Sequence, residues 1–179
     1  MKTRSLLIAA ATLLCAAGLH AQNSINLEYH ASVSLGYAIP SWEKAKGASA
    51  EGVALGIILN DRHYLEAEMI YMKHKWEPAE SGNLTLIPVL ATYRYELQLA
   101  EKSDWYLQLG GSLGAVMQKY NTRAVSKVRS TYGAQAMAVY KINNSFSLNG
   151  GVRVFHTVAG AADDSGVVTL FSVGGRFRF

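Results

Sequence analysis

The side chains with the most chemistry to offer are charged. Glu28, Glu66, Glu68 and Glu96 stand against Arg94, Arg153, Arg176 and Arg178, each in a stretch where polar and apolar residues alternate. Carboxylates and guanidinium groups so placed can relay protons, gate a passage, or neutralise one another where water is scarce. His30 shares their phase. A nucleophile with a base is harder to find. The histidines His20, His30, His63, His74 and His156 are scattered without metal-ligand spacing, and no glycine-rich phosphate loop or nucleotide motif occurs. No cofactor and no metal are expected.

The N-terminus bounds where this chemistry would take place. Lys2 and Arg4 precede an apolar run from Leu6 to Ala17, and Leu19-His20-Ala21 forms an acceptable cleavage site. This is the pattern of a secretory signal peptide over residues 1–21, and the run is shorter than the roughly 20 residues of a spanning helix. Residues 22–179 then make one domain. Cys15, the single cysteine, lies within the signal, so disulfide and thiolate chemistry are excluded from the mature chain. Removing Lys2 and Arg4 from 17 basic residues leaves 15 against 13 acidic ones, so the mature charge is about +2. That balance gives no reason to expect nucleic acid. No later apolar run reaches the roughly 18 residues of a transmembrane helix.

The elements that position the charges are strands. In the first segment Ile25, Leu27, Tyr29, Ala31, Val33, Leu35 and Tyr37 are apolar or aromatic, and the residues between them are polar or glycine. Successive strand side chains point to opposite faces, so this pattern fits a strand and no helix. Alternation continues over 48–60, 63–76, 83–97, 105–118, 130–142, 145–158 and 167–179, which predicts eight strands. Most exceed the usual length of about five or six residues and suit a tilted crossing of a bilayer. Asn60-Asp61-Arg62 and Asn143-Asn144 predict tight turns at one end. Longer polar connections at 39–47, 77–82, 119–129 and 159–166 predict four external loops, with Pro40 and Pro78 inside them.

Three features favour an outer-membrane barrel over a soluble one, whose apolar face would be the interior. Aromatics flank the apolar face at both ends: Tyr37, Tyr71, Trp76 and Tyr132 toward the loops, and Tyr93, Tyr95, Trp105, Tyr140, Phe146 and Phe177 toward the turns. The polar face is rich in glycine and serine, which suits a narrow interior. The chain also ends in strand register, with Phe171, Val173, Gly175, Phe177 and Phe179 on one face. This resembles the terminal strand of outer-membrane barrels, where a final Phe serves as the recognition signal for the insertion machinery; Gly175 departs from its strictest form. Leu86-Ile87-Pro88-Val89-Leu90 followed by Tyr93-Arg94-Tyr95 is similar to one strand of the small outer-membrane β-barrel domain family common in Bacteroidota. A mid-strand proline deletes a ladder hydrogen bond, so a bulge is expected at Pro88.

With the apolar face outward, the eight charged residues fall inside as a neutral set, nearer the turns, with Arg153 midway. They are expected to pair as a plug filling a barrel too narrow to conduct. Toward the loops the inward residues Ile70, Met72, Leu84, Leu86, Leu90, Val116, Met137, Phe155 and Leu170 are apolar, either as close-packed filler or as a pocket for an acyl chain or small hydrophobe. Lys44, Lys46, Lys73, Lys75, Arg123, Lys127 and Arg129 form a basic collar, either a merely solvated surface or a contact for anionic headgroups or a host or envelope polyanion. Phe155-His156-Thr157-Val158 resembles the lipid-facing His-x-Ser pair of small lipid A deacylases, but Val158 holds the serine position. The expected function is therefore non-enzymatic, in envelope structure or surface interaction through the loops. Binding of a small hydrophobe is the alternative, and a lipid-modifying enzyme the third.

Overall fold

The computed structural model describes residues 26–42, 45–75, 83–120, 126–158 and 165–179. Eight strands follow in chain order: β1 (Leu27–Pro40), β2 (Ala48–Leu59), β3 (His63–Lys75), β4 (Asn83–Gln98), β5 (Trp105–Tyr120), β6 (Ser126–Lys141), β7 (Phe146–Thr157) and β8 (Gly166–Arg178). Each pairs antiparallel with its sequence neighbours, and β8 pairs with β1, so the sheet closes into an up-and-down barrel. Residues 1–21, the expected signal peptide, lie outside the described residues, as do Lys44, Trp76, Pro78 and Arg123.

The seam between β8 and β1 runs from His30 opposite Arg178 to Pro40 opposite Val168. The last residue extends it: Tyr29 N donates to the Phe179 carbonyl at 3.1 Å, and Phe179 N donates back to the Tyr29 carbonyl at 3.0 Å. Their rings stack with centroids 6.4 Å apart. Closure removes the free edges that a lipid environment cannot hydrogen-bond.

Side-chain alternation is inverted relative to a soluble protein. Val33, Leu35, Leu55 and Val173 are about two-thirds exposed, whereas His30, Arg94 and Arg176 are at most 3% exposed. An apolar surface that runs around every strand is far larger than the isolated patches of soluble monomers, and hydrocarbon is the solvent that suits it. Tyr37, Tyr71 and Tyr132 are exposed toward the loop end, and Tyr93, Trp105, Tyr140, Phe146 and Phe177 toward the turn end. Two aromatic girdles therefore flank the apolar band.

The turns follow from local chemistry. Asn60 and Asp61 adopt φ of 50° and 59°, a left-handed conformation that Asn and Asp tolerate best among residues with a Cβ. In the β6–β7 turn the Asn143 side-chain oxygen accepts from the amides of Ser145 and Phe146 at 2.9 and 2.8 Å.

Three expectations need correction. Pro40 lies at the end of β1 opposite Val168, not in a loop; a strand terminus tolerates a missing amide hydrogen. β6 begins at Ser126, four residues before the predicted start at Ser130, and β5 extends to Tyr120. No bulge marks Pro88: pairing of β3 with β4 lapses between Met69–Val89 and Met72–Leu86, and the same register resumes. Pro88 costs ladder bonds on that side without inserting a residue, while β4 stays continuously paired with β5.

If the outward face meets hydrocarbon, a charge near its middle should be expensive. Val89, on the outward face of β4, is 47% exposed. Val89→Arg is expected to cost about 2 to 4 kcal/mol in reversible unfolding from lipid vesicles. A negligible loss would mean that the two faces are assigned the wrong way round.

Candidate functional site

The eight charged residues predicted to face inward do so, and they connect. Glu66 on β3 contacts Arg94 on β4 as a close ion pair, Arg176 on β8 at 3.7 Å and His30 on β1 at 3.3 Å. Glu68 pairs with Arg153 of β7 at 2.6 Å across the interior, and the Arg153 Nε donates to Gln135 at 2.8 Å. Toward the turns Arg178 approaches Glu28 at 3.5 Å. Burial is tolerable for these groups because each charge has a partner drawn from another strand.

Side chains that the sequence reading passed over complete the network. The Tyr64 hydroxyl donates to Glu96 at 2.9 Å and accepts from Arg178. The Gln108 amide donates to Glu96 at 2.6 Å while its oxygen accepts from Arg176 at 3.1 Å. Lys141 places Nζ 2.6 Å from Glu96 and over the Tyr106 ring. The interior set is therefore not neutral: among the described residues Lys141, and Arg129 nearer the loops, make six cations against four carboxylates. Tyr64, Gln108, Gln135 and Lys141 all share the inward phase of their strands, so parity was the signal that could have found them. Room for the network comes partly from glycine: a Cβ on Gly56 would lie 2.8 Å from both Glu66 and His30.

Above the charges the predicted apolar residues also face inward. Ile70, Met72, Leu84, Leu86, Leu90, Val116, Phe155 and Leu170 form one buried cluster with Ala38, Ala50 and Val168. Met137 is buried just below it, its sulfur 2.9 Å from Arg94. Between cluster and charges lies an interior cavity of about 20 Å³, lined by residues including Glu68, Arg94, Met137 and Arg153. That is space for about one water, whereas ligand pockets run to several hundred Å³. Among the described residues the apolar side chains of the alternative pocket reading lie together in one buried cluster, as suits eight strands that enclose little more than their side chains.

The mouth is partly covered by the connection after β1. Trp42 packs against the apolar cluster. Ser41 N donates to the Val167 carbonyl at 2.8 Å, Lys46 N to the Lys75 carbonyl at 2.9 Å, and the His74 Nδ1 lies 2.9 Å from the Lys46 carbonyl. This segment, read from sequence as an outward loop, is tied to β8 and β3.

At the deacylase-like position the His156 ring sits 5.1 Å from the Tyr132 ring, and the exposed Val158 follows it. Among its described residues the basic collar loses one expected member. Arg129 is only 8% exposed, because β6 starts early and carries it on the inward phase. Lys46, Lys73 and Lys75 are exposed, and Lys127 is half-buried.

The Glu68–Arg153 pair offers a clean test of the buried charges. Glu68→Ala strands a buried guanidinium and is expected to cost about 3 to 5 kcal/mol of unfolding free energy, whereas Glu68→Leu with Arg153→Met should recover most of that loss. Equal destabilisation by the single and double replacements would show that the pairing is not what makes these charges tolerable.

Neither a family model nor a curated protein matches the chain. Solved structures do. The crystal structure of Neisserial surface protein A, NspA, superposes with a TM-score of 0.65 at 18% identity, over 88% of this chain and 100% of that one. The outer membrane enzyme PagL gives 0.54 at 13% identity, over 83% and 98%. Ail, the attachment invasion locus protein of Yersinia pestis, gives 0.50 at 16% identity, over 85% and 99%. Likeness at such identities concerns the fold, and that fold carries a surface protein and an enzyme alike. With its closed strands, outward apolar band and paired interior, the chain has the eight-stranded β-barrel fold of these outer-membrane proteins.

Proposed function

We propose that the protein is a non-enzymatic outer-membrane barrel that serves envelope structure or surface interaction through its four external loops. The observation that carries this reading is the filled interior: ion pairs occupy the turn-side half and a packed apolar cluster the loop-side half, with a water-sized cavity between them. A barrel so filled has little to transport, and its variable chemistry lies where the strands end. The packed cluster likewise favours filler over a site for a small hydrophobe. Val158 in place of a serine beside His156 favours a non-catalytic role at that position.

Export by the N-terminal segment, and delivery to the insertion machinery through Phe171, Val173, Phe177 and Phe179, belong to the same proposal. So does kinship with the small outer-membrane β-barrel domain family, which rests on the strand containing Ile87 and Pro88. The exposed Lys46, Lys73 and Lys75 suit an anionic partner at the cell surface.

Two measurements test these readings. In planar bilayers the purified barrel should show no steady conductance, and a reproducible open pore would replace the plug with a passage. Deleting Phe179 removes two seam hydrogen bonds and the stack on Tyr29. Export of that variant is expected to leave unassembled chain in the periplasm, and undiminished insertion in cells would count against an assembly role for the terminus.

A further inference from the structure

Among the described residues, the basic ones on the outward face at the loop end are not spread evenly. Lys73 of β3 stands opposite Thr85 of β4, which stands opposite Lys119 of β5, so the three share one rung across neighbouring strands. One step nearer the loops Lys75 stands opposite Asn83. Lys73, Lys75 and Lys119 are exposed, and among the described residues none of their ammonium groups has an ion-pair partner. Directly below them the same face turns apolar, with Met69, Tyr71, Val89 and Met117 exposed. At the corresponding height the outward residues of other strands are different: Ile39 on β1, Val128 on β6 and Val158 just past β7. Among the described residues the nearest outward acid, Glu51 on β2, sits opposite Tyr71 and one step deeper.

We infer that this ladder of Lys73, Thr85 and Lys119, with Lys75 above it, binds the phosphate groups of an anionic lipid in the leaflet at the loop end. The inference rests on the membrane-barrel reading and deepens it by naming the lipid contact. Adjacent strands are about 4.8 Å apart, so the two ends of the rung lie roughly 10 Å from one another. A strand tilt of about 40° shifts them by only about 6 Å in depth, within the headgroup layer and within the reach of lysine side chains that lie along apolar surface and lift their ammonium groups to the interface. The apolar residues beneath take the acyl chains, while Thr85 and Asn83 supply hydrogen-bonding groups between the charges. Charge, depth and the adjoining apolar surface are thus complementary to one kind of molecule, a lipid with phosphate at its head.

The test uses the full mature barrel in detergent. Native mass spectrometry would titrate it with lipid A carrying both phosphates, with dephosphorylated lipid A, and with phosphatidylglycerol. The unmodified barrel should bind phosphate-bearing lipid and retain dephosphorylated lipid A poorly. Lys73→Gln with Lys119→Gln should weaken phosphate-bearing lipid by about thirtyfold, at about 1 kcal/mol for each lysine near the membrane surface. Lys73→Arg with Lys119→Arg should restore binding, and Lys102→Gln in the turn at the opposite end should leave it unchanged. Preference for lipid A over phosphatidylglycerol would identify the source of the phosphate as glycolipid, and the reverse as phospholipid. Equal binding by the glutamine variant, or equal binding of dephosphorylated lipid, would overturn the proposal. A heat-dependent gel shift in each variant separates that outcome from loss of the barrel itself, and the single variants serve if the double one fails to fold.

Discussion

Everything in this structure depends on the pairing of β8 with β1. A β-sheet in hydrocarbon cannot leave a row of amide and carbonyl groups without partners, so it must close or not exist there. Here closure runs from His30 opposite Arg178 to Pro40 opposite Val168, with the final residue adding two more hydrogen bonds to Tyr29. Once eight strands have closed, the width of the interior is set, and with it the demand that inward side chains fill the space.

The filling divides by chemistry. In the turn-side half the inward residues are charged, and the low polarity of the surroundings makes each pairing consequential. Glu66 and Glu96 act as hubs, each gathering donors from several strands, so the network holds distant parts of the sheet in one register. Arg176, buried on β8, also lies over the Tyr64 ring with its guanidinium carbon 4.6 Å from the centroid. In the loop-side half, dispersion and exclusion of water do the same work without charges, and Trp42 closes over them.

Most of this architecture was legible in the sequence, because side-chain alternation has a period of two and the solvent on each face is different. Residues such as Val33, Leu55 and Val173 declare their face by type alone. The misreadings lie where type and position conflict. Arg129 reads as a loop cation until β6 is seen to begin at Ser126, which puts it on the inward phase. Lys141, near a strand end, was passed over in the sequence, yet its long side chain reaches Glu96. Pro88 promised a bulge, but the continuous ladder to β5 holds β4 straight, so the interruption costs pairing on one side only. The tie of Ser41 to Val167 joins distant parts of the chain, and no local pattern announces it.

Gel mobility of the protein from a washed outer-membrane fraction, boiled and unboiled, tests the central claim most directly. A closed barrel with an apolar exterior keeps its hydrogen bonds in detergent until heated, so the unboiled sample should migrate apart from the boiled one and be found in that fraction. A water-soluble periplasmic protein with a single mobility would contradict the account, and the apolar face assigned here to lipid would then have to be a core.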